Sequence, residues 1–238
     1  MNFGVKLFLH AIKLVLDNFS EALRVSLFLY FVPIVIALGV PGGPETVSPI
    51  TIAALIASFI GGIWVAVAWH RFILLGEQTR GWIPDFSGRR MLSYFGKSIL
   101  IGLIMVLVLM VPMMVLGLIG AQGGAATLLL GGAVLSFVVL LVIYRLGAIL
   151  PASSVDVRMR LRESWTATSG ASGSILALAF LTSIAQLLLG LPSLLLAQIF
   201  GPLAVVWDAI SGWFILLVSI SILTTLYGHF VEGRPLKD

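Results

Sequence analysis

The sequence predicts an all-α integral membrane protein with six transmembrane helices. Of its 238 residues, 60% are hydrophobic and only 10% are charged, which is far from the composition of a soluble domain. The apolar residues also form long blocks rather than an amphipathic pattern. Because a helix rises 1.5 Å per residue, it needs about 20 apolar residues to cross about 30 Å of hydrocarbon. Six blocks come near or exceed this length: 23–40, 50–69, 98–120, 128–150, 174–200 and 209–228.

The residues before the first block predict an amphipathic helix. One set of positions is polar and recurs every three or four residues: Lys6, His10, Lys13, Asp17 and Glu21. A second set is apolar and lies on another face: Phe8, Ile12, Val15 and Phe19. This pattern is typical of a helix that lies flat on the membrane surface. The alternative is that these residues form the first turns of one long, tilted helix.

The distribution of basic residues predicts the orientation in the membrane. All 14 Lys and Arg residues lie at the N-terminus, in or beside the second-to-third and fourth-to-fifth connections, or in the C-terminal tail. The connections 41–49, 121–127 and 201–208 hold only Glu45 and Asp208 as charges. The positive-inside rule therefore places both termini in the cytoplasm. The net charge of +4 favours anionic lipid head groups as partners rather than nucleic acid, because the basic residues flank spans.

A weak internal repeat divides this single membrane domain into units 1–77, 78–150 and 151–238. Each unit would hold an interfacial helix followed by a transmembrane hairpin. The first span of each unit contains a proline, at Pro33, Pro112 and Pro192. Each second span ends in an aromatic residue close to a basic one, as in Trp69-His70-Arg71, Tyr144-Arg145 and Tyr227-Gly228-His229. Units with the same orientation would be related by an axis along the membrane normal. The alternative is that any six-span protein has prolines and aromatic residues at such spacings.

Small residues on the second span predict a close helix contact. Ala54, Ser58, Gly62 and Ala66 recur every four residues, and small side chains let two backbones approach. Packing within the chain is the default interpretation, and a homodimer interface is the alternative.

The end of the second span holds the candidate site. His70, Arg71 and Glu77 are two basic groups and a carboxylate close to Trp69. A structural anchor at the lipid head groups is one interpretation, and a substrate or partner site is the other. The chain has no cysteine and only three histidines, without the spacing of metal ligands. The sequence therefore predicts neither a metal site nor a cofactor.

Residues 155–162 alternate between apolar and charged side chains. Period-two spacing favours an extended segment with one apolar face. The competing interpretation is a helix that begins near Ser154.

The predicted function is nonenzymatic, as a scaffold, an assembly factor or an accessory subunit of a membrane complex. The near absence of charged residues inside the spans supports it. The alternative is a transporter or channel for a small or lipidic solute, which repeats and prolines within spans favour. A minor alternative is an intramembrane serine protease, because 170–173 reads Gly-Ala-Ser-Gly and His229 lies near the same membrane side. No catalytic residue is assigned.

Two segments resemble a known family. Residues 163–170 read Glu-Ser-Trp-Thr-Ala-Thr-Ser-Gly, and residues 69–77 read Trp-His-Arg-Phe-Ile-Leu-Leu-Gly-Glu. They resemble uncharacterised six-span bacterial proteins of the YciC type and the membrane domain attached to some glycerophosphodiester phosphodiesterases. The resemblance implies the six-span fold in a bacterial inner membrane. It supplies no catalytic residues, and the chain has nothing like the soluble phosphodiesterase barrel.

Overall fold

The structure, a computed structural model, describes residues 2–41 and 47–236. In this part of the chain all regular secondary structure is helical. The elements in chain order are α1 (Phe3–Asp17), α2 (Phe19–Leu38), α3 (Pro49–Leu75), α4 (Gly88–Leu146), α5 (Ile149–Ser154), α6 (Leu161–Ser169), α7 (Ser172–Ile199) and α8 (Gly201–Phe230).

Five helices within the described residues are long and apolar enough to cross a membrane. They are Phe19–Leu38, Pro49–Leu75, Gly88–Ile119, Ser172–Ile199 and Gly201–Phe230, and the apolar helix Leu130–Leu146 is shorter. Their length and composition indicate a protein embedded in a membrane that crosses it several times.

Helix α4 is interrupted in its middle and turns back on itself. Gly124 has φ 67° and ψ −169°, a conformation that glycine adopts without the steric cost of a Cβ. In a continuous helix, Leu116 and Gly131 would lie about 22 Å apart at 1.5 Å per residue. Instead, the Leu116 side chain occupies the place that a Cβ on Gly131 would take. The two arms of α4 therefore lie side by side, and they correspond to the predicted third and fourth blocks.

The core lies at one end of the helix bundle, around the second half of α8. Residues 220–228 are buried without interruption, so this part of α8 has neighbours on every side. Helices α1, α3, α5 and α7 all contact α8. Trp69 of α3 and Tyr144 of α4 are among the largest fully buried side chains of this core.

At the opposite end of the bundle the long helices expose apolar side chains. Leu107 and Met114 on α4 and Leu195 on α7 are 70%, 63% and 65% exposed. Such continuous apolar surface is rare on soluble proteins and normal where lipid is the solvent. The far half of the bundle thus has a surface suited to hydrocarbon.

The N-terminal segment is a separate helix that packs on the protein. Asn18, with φ −116° and ψ 32°, separates α1 from α2, which excludes one continuous helix. Leu7, Ala11 and Val15 are fully buried, and α1 contacts α7 and α8. The buried face of α1 is therefore rotated from the apolar face that the sequence predicted. Phe19, a member of the predicted face, belongs to α2 and is 47% exposed. The face is apolar because protein covers it.

The segment after α4 is helical at both ends and not helical between them. Helix α5 ends at Ser154 and α6 begins at Leu161, while residues 157–160 are not helical. A helix beginning near Ser154 is therefore wrong, and within the segment Arg160, with φ −93° and ψ 156°, is extended. Asp156, in the turn after α5, has φ 62°, and the Val157 amide donates back to the Ala152 carbonyl oxygen at 2.8 Å.

Helix α3 packs on α2 through Gly61 rather than Gly62. A Cβ on Gly61 would lie 2.5 Å from the Leu29 carbonyl oxygen, whereas open space surrounds the same position on Gly62. Of the predicted small-residue stripe, Ala54 and Ala66 are buried and Ser58 is exposed. The four residues therefore do not share one contact, because the surface that faces α2 passes through Gly61.

We expect Gly61→Ala to destabilise the protein and Gly62→Ala to be tolerated. The new methyl group at position 61 would force apart two backbones, and overpacking of this kind costs about 1–3 kcal/mol. At position 62 the same group enters open space, and alanine has the better helix propensity. Thermal unfolding of both variants in one detergent measures the difference. Equal midpoints for the two variants would contradict this account of the α2–α3 contact.

Candidate functional site

Arg71 organises the polar end of α3. The backbone turns at Gly76, with φ 72°, and brings Glu77 back toward Arg71. The Arg71 Nε donates to Glu77 Oε2 at 2.7 Å, and its Nη2 donates to Glu77 Oε1. Its Nη1 donates to the Ser154 carbonyl oxygen at 2.8 Å. The planar guanidinium thus holds a carboxylate through two parallel bonds and fixes the end of α5 with a third.

Asp156 connects Arg71 to the beginning of α4. Its Oδ2 lies 3.6 Å from Arg71 Nη1 and accepts a 2.9 Å bond from Arg90 Nε. This bond from Arg90, with the charges of Arg90, Arg71 and Arg89, lowers the pKa of the Asp156 carboxyl. Because its pKa is lowered on folding, the pair stabilises the protein fully above the ordinary pKa of aspartate. The contribution is lost only as pH falls through the lower, folded value.

His70 and Trp69 point into the core, away from this network. His70 is fully buried, and its Nδ1 lies 2.8 Å from Thr224 Oγ1 on α8. The Trp69 ring is also fully buried and donates from Nε1 to Ser221 Oγ at 2.8 Å. The interpretation of Trp69 as an interfacial ring is therefore wrong. Of the three predicted site residues, the structure brings Arg71 and Glu77 together and directs His70 to α8.

A basic groove lies beside this network. It is an open cavity of about 690 Å³ between the beginning of α4 and the chain around α5 and α6. Five basic and two acidic side chains line it, together with four uncharged residues. The lining residues are Arg89, Arg90, Ser93, Lys97, Ser153, Asp156, Val157, Arg158, Met159, Arg160 and Glu163. We call this cavity the basic groove. Its excess of cations suits an anion such as a phosphate or a carboxylate.

Sequence reasoning missed the basic groove. Its residues come from two connections, 89–97 and 153–163, that are about 60 residues apart. The only signal in the sequence was the positive charge that both connections share. Charge alone does not reveal that the two segments face each other across one cavity.

The segment 163–170 holds the end of α4. Arg145 donates to the Thr168 carbonyl oxygen and to Ser172 Oγ, and its guanidinium lies 5.3 Å from the centroid of the Trp165 ring. Ser164 Oγ donates to the Arg145 carbonyl oxygen at 2.8 Å. The contacts with Ser164, Trp165 and Thr168 fix α6 against α4, and the bond to Ser172 adds the beginning of α7. The residues that carry the family resemblance here therefore have a structural role.

Ser172 and His229 have separate partners. The Ser172 hydroxyl donates to the Ser169 carbonyl oxygen at 2.9 Å and accepts from Arg145. His229 Nδ1 lies 2.9 Å from the Arg234 carbonyl oxygen, and its ring packs on Phe3. A serine nucleophile needs its base within hydrogen-bond reach. These contacts do not form such a pair.

Within the described residues, no three His, Asp or Glu side chains lie close enough together to hold a metal ion. No family model, curated protein or solved structure matches the chain.

We expect Arg71→Lys to lower the free energy of unfolding by about 1 kcal/mol, since several charge-assisted hydrogen bonds are lost and their main partner, Glu77, is half-exposed. Lysine keeps the charge but lacks the planar fork that reaches Glu77 and Ser154 together. The exposed Arg80 supplies the control, Arg80→Lys, which should be neutral. Thermal unfolding in detergent compares the two variants. If Arg71→Lys unfolded at the temperature of the control, the network would be an ordinary solvated surface.

Proposed function

We propose that this protein is a nonenzymatic integral membrane protein that acts as a scaffold, an assembly factor or an accessory subunit of a membrane complex. The observation that carries the proposal is that polar side chains in the interior form hydrogen bonds with each other. Trp69 donates to Ser221, Trp213 Nε1 to Ser26 Oγ at 2.7 Å, and Tyr144 to Thr182 at 3.0 Å. These bonds join helices to each other and leave few polar groups for a solute. Such an interior suits a rigid protein that acts through its surface, by binding partners there.

A transporter or channel for a small or lipidic solute is the second candidate. A cavity of about 700 Å³ lies between the arms of α4, α7 and α8. Its wall is mostly apolar, with a few polar side chains that include Ser98, Ser136 and Gln186. Prolines within α2, α4 and α7 free backbone carbonyls that can bind a solute.

We propose six spans, with the second arm of α4 as the fourth. The turn at Gly124 and the approach of Leu116 to Gly131 support a hairpin within α4. At 17 residues, Leu130–Leu146 is short for a span, but 17 is the lower end of the observed range, about 17–25 residues. The resemblance to six-span bacterial proteins supports the same number.

We propose that both termini lie in the cytoplasm of a bacterium and that the spans cross its inner membrane. Contacts between the basic segments support one common side. Arg71 and Arg90 bind the Asp156 segment, and Arg234 Nη2 donates to the Leu74 carbonyl oxygen at 2.7 Å. The N-terminal part joins them, because Glu21 accepts a 2.6 Å bond from the Thr79 amide. The positive-inside rule then gives the orientation, and anionic lipids are the partners at that surface.

Three repeated units remain part of the proposal. Pro33, Pro112 and Pro192 lie inside α2, α4 and α7, the first long helix of each unit. The aromatic residues that end the second spans share an environment, since Trp69, Tyr144 and Tyr227 are 0%, 1% and 2% exposed. Their common burial supports an internal repeat of sequence and packing.

Reporter fusions test the topology. Reporters fused after Gly123 and Pro202 should lie outside the cytoplasm, whereas reporters fused after Gly81 and Arg160 should lie in the cytoplasm. A Gly123 fusion that read inside would show that the arms of α4 do not cross the membrane. In that case the six-span proposal is wrong, although the other helices could still cross.

Purification after mild detergent extraction tests the function. We expect a second membrane protein to co-purify at constant stoichiometry, because an accessory subunit acts through a partner. The control is flux of entrapped solutes and of labelled phospholipid in vesicles that contain the purified chain alone. Flux above that of protein-free vesicles, without a partner, would contradict the scaffold proposal and favour the transporter.

A further inference from the structure

One face of α4 changes from basic to apolar along its length. Arg90, Ser93, Lys97, Ile101 and Met105 follow each other at intervals of three or four residues, so they lie on the same face of the helix. The first three line the basic groove. The last two line the apolar cavity of about 700 Å³. The groove and the cavity are therefore consecutive along a single helix face.

The wall that α5 contributes to the two spaces changes from polar to apolar at the same level. On α5, Ser153 lines the basic groove and Leu150 lines the apolar cavity, one helical turn away. Lys97 marks the boundary, because its Nζ donates to the Ile149 carbonyl oxygen at 3.2 Å. An ammonium group has three donors, so this bond leaves two for a ligand. Both walls thus change from polar to apolar side chains at one level, and the cations there come from α4.

The dimensions of the two spaces fit an amphiphile. Volumes of about 690 Å³ and 700 Å³ each lie within the range of ligand pockets, about 300–1,000 Å³. From Lys97 to Leu109, which also lines the cavity, α4 extends about 18 Å at 1.5 Å per residue. One leaflet of a bilayer is about 15 Å deep, half of the hydrocarbon thickness. An acyl chain of ordinary length would therefore extend along this face of α4.

We infer that the basic groove and the apolar cavity form one binding site for an anionic glycerophospholipid. The phosphate and the anionic head group lie in the groove, among guanidinium groups that bind phosphate oxygens through two parallel bonds. One acyl chain lies in the cavity against Ile101 and Met105. A free phosphate shares the head-group chemistry, but it makes no use of the apolar cavity. This inference rests on the proposed membrane insertion, with the groove at head-group level.

Binding to the purified chain in a neutral detergent tests the site. Dioleoyl phosphatidylglycerol, dioleoyl phosphatidylcholine and glycerol phosphate serve as probes, read by native mass spectrometry and by thermal unfolding. We expect phosphatidylglycerol to remain bound and to raise the unfolding midpoint, with at least about tenfold higher affinity than phosphatidylcholine. Glycerol phosphate should leave the midpoint unchanged. Equal binding of the two lipids, or equal stabilisation by glycerol phosphate, would overturn the inference.

A matched pair of variants tests the basic groove. Arg158→Gln with Arg160→Gln removes two charges that line it, and Arg80→Gln with Arg162→Gln removes two exposed charges that do not. We expect the first pair to weaken phosphatidylglycerol binding about fivefold per charge and the second to change it less than about twofold. Indistinguishable affinities would place the lipid elsewhere. If the groove variant failed to fold, the three probes with the unchanged chain decide the outcome.

A second matched pair tests the apolar cavity. Open space surrounds the Cβ position of both Gly102 and Gly117 on α4, but only Gly102 lines the cavity. Gly102→Trp should fill the space of the acyl chain and lower the affinity for phosphatidylglycerol, whereas Gly117→Trp should not. Equal affinities of the two variants for phosphatidylglycerol would show that the acyl chain does not lie in the cavity. All these measurements use the isolated chain, so a failure here leaves the search for a protein partner unaffected.

Discussion

Hydrogen bonding inside apolar surroundings constrains this fold more than any other factor. Residues 220–228 of α8 are buried without interruption, and each polar side chain among them needs a partner within the protein. Ser221 accepts from Trp69, and Thr224 bonds His70 while donating to the Ile220 carbonyl oxygen at 2.9 Å. These bonds fix the rotation of α3 against α8. The direction in which Arg71 leaves α3 follows from that rotation, and with it the position of the polar network.

The basic residues have a structural role in addition to their role in topology. Arg71, Arg145 and Arg234 donate to the carbonyl oxygens of Ser154, Thr168 and Leu74. These carbonyls lie in the last turns of α5, α6 and α3, where intrahelical amide partners run out; the Thr168 oxygen also accepts from the Ala171 amide at 3.2 Å. Arginine satisfies them and complements the negative end of the helix dipole. The same cations therefore cap helices and join neighbouring segments. The basic groove adjoins this network at Asp156, which lines the groove and lies 3.6 Å from Arg71 Nη1.

The sequence was informative where a property is local and uninformative where it depends on rotation or on distant partners. Long apolar blocks predicted the helices, and the pairing of Arg71 with Glu77 needs only a short turn between them. The direction of His70 did not follow, because each residue on a helix is rotated by about 100° from the last. The same rotation between neighbouring residues explains why the sequence predicted a contact at Gly62, whereas Gly61 makes it. Asp156 was missed because its arginine partners are 66 and 85 residues away.

Labelling of single cysteines tests the central claim, that lipid covers the far half of the bundle. The chain has no native cysteine, so Leu107→Cys, Leu195→Cys and the exposed control Gln78→Cys each report one position. The thiolate is the reactive form, and hydrocarbon excludes it together with water. In open membrane fragments, we predict that a charged maleimide labels position 78 and spares positions 107 and 195, although these are 70% and 65% exposed. Labelling of all three at similar rates would show that water reaches this surface, and the account would be wrong.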